Sequence, residues 1–137
     1  MFAKLPEGKH KVYLVELFGG YNSVTGMQDN AIKVGVTSYR DAIDRFYYSK
    51  HIGENSMIDY FDRVRCIASI VVDSRQAAEK IEEKILKEWG DRDFITNLYM
   101  KGVTEIRKAT LERILKGHEV INRYKARNVY REKVLHS

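Results

Sequence analysis

Residues 10–36 read HKVYLVELFGGYNSVTGMQDNAIKVGV. His10 to Leu17 alternates, with Val12, Leu14 and Glu16 on one side and Lys11, Tyr13, Val15 and Leu17 on the other. That period of two, and the richness in Val and Tyr, predicts a strand. Phe18 to Asn30 then collects Gly19-Gly20, Asn22-Ser23, Gly26 and Asp29-Asn30, more turn residues than a tight hairpin uses, so a long loop is expected there. Ala31 to Val36 reads as a second strand, and the pair as a long-looped hairpin.

Working outward, Tyr39 to Ser49 reads as a short helix with Ala42, Ile43, Phe46 and Tyr47 on its apolar side. Lys50 to Met57 reads as a loop and Arg63 to Val72 as a third strand. Asp73 offers an N-cap, with Gln76 at capping-box spacing, for a helix from Ser74 to Trp89 that stops at Gly90. Leu98 to Ile106 suggests a last strand near Val103. Leu111 to about Lys133 reads as a helix with Ile114, Leu115, Val120, Ile121 and Tyr124 as packing residues. The expected class is α/β of the α+β type: a three-stranded, mainly antiparallel sheet flanked by helices, with a basic C-terminal helix. Residues 1–105 form the body and 106–137 an extension of the same compact unit.

A chain of 137 residues with 44% hydrophobic residues can bury one core. The lone Cys66 excludes an internal disulfide, and its neighbours Ile67, Ala68 and Ile70 suggest a buried thiol. No apolar run reaches the ~18 residues of a membrane span, and Met-Phe-Ala-Lys at the start is no apolar leader, so a cytoplasmic setting is expected. Charge is uneven: residues 1–105 hold 15 Lys/Arg against 16 Asp/Glu, and residues 106–137 nine against three. A neutral body with a basic tail suits a nucleic-acid binder, and equally a helix that docks on an acidic partner.

One residue breaks its pattern. Ala78, Ile81, Ile85, Leu86 and Trp89 make an apolar stripe, and Glu82 falls on or beside it. A carboxylate there either reaches water at the stripe edge or meets a cation, because an unpaired buried charge costs several kcal/mol. Alone, Lys33 reads as a solvent-facing strand lysine, Arg45 as a surface arginine covering apolar neighbours, and Tyr13 as a core tyrosine. His10, His118 and His136 lack metal-ligand spacing, which argues against zinc. No P-loop, Gly-x-Gly-x-x-Gly or Ser-centred elbow occurs.

In order, however, Lys11-Val12-Tyr13, Lys33-Val34-Gly35, Arg45 and Glu82 resemble the motif series of GIY-YIG nucleases. Ile32-Lys33-Val34-Gly35-Val36-Thr37-Ser38 is similar to the phage-associated branch in which lysine replaces the second motif tyrosine. Gly102-Val103-Thr104-Glu105 resembles a late motif of that branch, and the resemblance spans roughly residues 11 to 105. It implies a divalent-metal-dependent DNA endonuclease, with a host-cytoplasmic setting if phage-encoded. Glu82 would hold magnesium or manganese, Arg45 the scissile phosphate and Tyr13 the attacking water. Lys33 would be either a base or a phosphate-stabilising cation, and Gly35 would permit close backbone approach. Arg40, Tyr48 and His51 are further candidates for nucleic-acid contact. In the tail, Arg123, Lys125, Arg127 and Arg131 are phosphate donors, unless that helix packs or forms a homodimer instead. A non-catalytic nucleic-acid-binding or regulatory protein on the same fold is the alternative.

Overall fold

The computed structural model describes the backbone of residues 2–136 and the side chains of residues 2–127. The first strand, β1 (His10–Asn22), runs five residues past Leu17. It pairs antiparallel with β2 (Met27–Thr37) in the register Tyr13 to Gly35 and Val15 to Lys33. The expected long loop is therefore mostly strand. Between Leu17 and Gly20 the register shifts at a bulge, where Gly19 takes φ +75°, and the ladder then resumes from Gly20 to Asn22. Only residues 23–26 turn the chain, closed by Gly26 N–H donating to the Asn22 carbonyl at 2.8 Å. Gly19-Gly20, which reads as a turn, serves as a bulge.

Helix α1 spans Asp44–His51, later than expected, and a short helix α2 (Met57–Tyr60) follows. Ser56 caps α2 through its side chain and also donates to the Phe46 carbonyl at 2.7 Å, tying the two helices together. Strand β3 (Arg63–Val72) has the expected bounds. Helix α3 spans Arg75–Trp89. Its cap is Ser74, whose hydroxyl accepts from Ala77 N–H at 3.1 Å, while Asp73 pairs with Lys9. A 3-10 turn at Val103–Glu105 leads into β4 (Ile106–Lys108), and α4 spans Leu111–His136. The sheet thus has four strands rather than three, in the order β3-β1-β2-β4, with every pair antiparallel.

Both sheet faces are covered, which is why β1 is apolar on both of its alternating sides. Val12, Leu14, Ile32, Val34 and Ile70 pack under Ala78, Ile81, Ile85 and Trp89 of α3 and Val120 and Ile121 of α4. On the other face Tyr13, Val15, Leu17 and Ala31 meet Phe46, Met57, Phe61, Phe94, Met100 and Ile106. Leu115 and Tyr47, expected to pack, are 58% and 51% exposed. Cys66, expected buried, is exposed on the edge strand β3. Among the described residues no helix is long and apolar enough to cross a membrane.

Strand β4 covers β2 only from Ala31 to Lys33. Among the described residues no further sheet pairing covers that edge of β2 beyond Lys33, and α1 and α3 flank an opening beside Gly35 and Val36.

Candidate active site

That opening is a cleft of roughly 190 Å³, and Tyr13, Lys33, Arg45 and Glu82 all line it. They come from β1, β2, α1 and α3, so four separate elements converge there.

Tyr13 is 2% exposed, its ring set edge-on to Phe46 at 6.1 Å between centroids. Gly35 lies directly across the ladder and supplies the room for that ring. Lys33 shares the face of Tyr13 and is 4% exposed, against the expectation of a solvent-facing lysine. Its Nζ lies 5.6 Å from the Tyr13 ring centroid and donates to the Val34 carbonyl at 3.2 Å. What buries it is Gly102, held at φ +89°, whose missing Cβ leaves space for the lysine head. Arg45 is half-buried on the first turn of α1. Among the described residues no carboxylate pairs with its guanidinium, so its fork is open to another anion.

Glu82 is half-buried. Its carboxyl is pushed up to about 7, chiefly by burial; Lys33 pulls it back, while Glu105, Glu79 and Glu83 raise it further. A carboxylate held that far up gains most when a cation arrives to neutralise it. Glu79 and Glu105 line the same cleft. Among the described residues, no three His, Cys, Asp or Glu side chains form a ready-made cage. Glu82, with Glu79 and Glu105 lining the same cleft, offers the one or two carboxylates that a hard ion takes while keeping most of its waters.

Several lining residues escaped the sequence reading: Arg75, Glu79, Lys101 and Ser49. Arg75 donates to Glu79 at 2.9 Å, an i, i+4 pair across one wall. Glu105 stands in the late-motif segment, and its Oε2 accepts from Thr104 Oγ1 at 2.9 Å. Arg107, 8% exposed, fixes this wall. It donates to the carbonyls of Gly90, Thr104 and Ile106 at 2.9, 2.7 and 2.9 Å, and so joins the end of α3 to the turn that carries Glu105.

The secondary candidates lie elsewhere. Arg40 is exposed and donates to the Lys4 carbonyl at 3.2 Å. Tyr48 and His51 pack on Phe2, each at 5.8 Å between ring centroids. These three build the corner that holds the N-terminal segment, not the cleft. Arg123 pairs with Glu119 at 2.7 Å, Arg127 stacks over Tyr124 at 5.3 Å, and Lys125 is exposed. The side chain of Arg131 lies outside the described residues. No family model, no curated protein and no solved structure matches this chain.

Proposed function

We propose that the chain is a divalent-metal-dependent endonuclease of the GIY-YIG kind, hydrolysing phosphodiester bonds in DNA. The observation that carries this reading is the single cleft lined by Tyr13, Lys33, Arg45 and Glu82. Independent surface or core roles for these four residues give no reason for them to meet.

Phosphodiester hydrolysis needs an in-line water, neutralised phosphoryl oxygens and a stabilised leaving oxygen. Arg45 holds the scissile phosphate with its planar fork. Tyr13, fixed by its burial and by Phe46, presents its hydroxyl to orient the attacking water. Lys33 supplies positive charge from within the sheet, where low solvent exposure strengthens its effect on a phosphate. Glu82 would hold magnesium or manganese, with Glu105 and Glu79 adding negative potential. When bound, such an ion neutralises phosphoryl charge and acidifies a coordinated water.

The test is incubation of supercoiled plasmid with the protein and magnesium or manganese. Nicking or linearisation is expected, with a loss of at least 100-fold in Glu82→Ala while circular dichroism stays unchanged. Cleavage undiminished in that variant would overturn the role of Glu82. DNA bound but never cut under any metal would favour the non-catalytic alternative.

A further inference from the structure

Tyr99 is 80% exposed, more than any other large apolar side chain among the described residues. Its backbone is tied down. The Tyr99 carbonyl accepts from Asn55 Nδ2 at 3.2 Å, and the preceding Leu98 carbonyl accepts from Thr96 Oγ1 at 2.6 Å. The next residue, Met100, is 2% exposed in the core cluster that contains Tyr13 and Phe46. Immediately beyond it, Lys101 and Gly102 line the cleft. An isolated exposed aromatic needs no special account. This one projects from an anchored segment, one residue from a core contact and two from a cleft lysine.

A tyrosine carries a large flat face at low rotamer cost, so a planar partner can lie on it cheaply. The cleft that the chain reaches two residues later, at Lys101, is also lined by Lys33 and Arg45, and none of these three is ion-paired among the described residues. A planar group attached to a polyanionic backbone matches both features, and a nucleic-acid strand has that chemistry. We infer that Tyr99 is a stacking platform for an unpaired base of a DNA strand whose phosphate lies in the cleft, with Lys101 as the neighbouring phosphate contact. This rests on the nuclease reading and sharpens its substrate class. A base within continuous duplex already has both π-faces covered, so the platform selects single-stranded, gapped or branched DNA.

Fluorescence anisotropy in EDTA, with a short labelled single-stranded oligodeoxynucleotide and its duplex, tests this without reference to cleavage. The wild type is expected to bind the single strand more tightly than the duplex at equal salt. Tyr99→Ala should weaken single-strand binding about tenfold or more and leave duplex binding within roughly twofold. Tyr99→Phe should retain the wild-type affinity, and the melting temperature of Tyr99→Ala should stay unchanged because the ring is exposed. Equal binding by wild type and Tyr99→Ala, equal losses for both DNAs, or no binding by the wild type would each overturn the inference. Cleavage of the same labelled single strand and of supercoiled plasmid in magnesium, run in parallel, separates the two claims. Nicking with no Tyr99 dependence of binding ends the platform and leaves the nuclease reading standing. Tyr99-dependent binding without cleavage of either the single strand or the plasmid ends the nuclease reading instead.

Discussion

Gly35 faces Tyr13 across the β1–β2 ladder so closely that a Cβ at position 35 would sit 2.8 Å from Tyr13 Cε1 and nearer still to Cζ and the hydroxyl. The tyrosine is 2% exposed and braced by Phe46, so its ring has little room to turn away from the ladder. Gly35→Ala is therefore expected to destabilise the fold by about 1–3 kcal/mol and to abolish plasmid nicking. Tyr13→Phe should not rescue the alanine variant, because Cζ itself is in the way. Urea unfolding midpoints and a nicking assay on Gly35→Ala, Tyr13→Phe and the double variant check this.

Glu82 gives a pH dependence with a definite sign. Its folded pKa of about 7 lies above the ordinary 4.5, with burial as the main cause. The folded chain therefore holds the proton more tightly than the unfolded one. This contribution to stability is complete below about pH 4.5 and is lost as pH rises through about 7. Glu82→Gln should remove that decline and melt a few degrees higher than wild type at pH 8. Magnesium at pH 8 should raise the wild-type melting temperature and leave Glu82→Gln unmoved. Differential scanning fluorimetry across pH 4–9, with and without the ion, reads both effects.

Gly102 roofs Lys33. A Cβ there would meet Lys33 Cε at 2.8 Å and Nζ at 2.9 Å, and φ is +89°. The lysine end is flexible and can yield, so the stability cost of Gly102→Ala comes mainly from the backbone, about 1–2 kcal/mol. Activity should fall further than stability, because Lys33 is displaced from the cleft. Comparing melting temperature with nicking rate for Gly102→Ala distinguishes this from simple unfolding.

Arg107 joins the end of α3 to the wall of the cleft through three carbonyls. Arg107→Ala leaves those acceptors without a charged donor and should cost about 2–4 kcal/mol. Arg107→Lys should recover only part, since one ammonium cannot span three acceptors with the reach of a planar fork. Denaturant titration of both variants gives the ranking.

How far the sequence reveals this molecule depends on the range of the interactions involved. Strand β3 was legible to the residue because it ends in the largely apolar run Ala68-Ser69-Ile70-Val71-Val72 directly before the capping residues at 73 and 74. The cap of α3 was misread by one position: Asp73 and Ser74 both suit the role, and Lys9, 64 residues away, engages Asp73. The bulge at Gly19 was unreadable because a left-handed glycine inside a ladder carries the same local signal as a turn. The meeting of Tyr13, Lys33, Arg45 and Glu82 in one cleft has no local signal in the sequence and is suggested only by the family resemblance; the burial of Lys33 is equally non-local. That burial is imposed by Gly102, brought in by a short strand whose pairing could not be foreseen. Arg75 and Lys101 were invisible for the same reason, since a charged residue on a helix end or loop reads as solvated until its neighbours are known.

The brevity of β4 has a dynamic consequence. Three residues of pairing hold the segment from residue 98 to 108 against the sheet, helped by Arg107 and by Asp93, which receives the Lys108 N–H at 2.8 Å and two bonds from Arg113. The β1–β2 ladder keeps its α3–α4 core without that attachment. Release of the segment exposes the buried Met100 and Ile106, so it is a sub-global opening rather than loop fraying, and one in which the central hairpin persists. Amides of Ile106–Lys108 would then exchange with solvent well before those of Val12–Leu17. In that opened state Glu82, Arg45 and Tyr13 would remain in place while Glu105, Lys101 and the cover over Lys33 swung away, turning a closed cleft into an open trough that a strand could enter from the side.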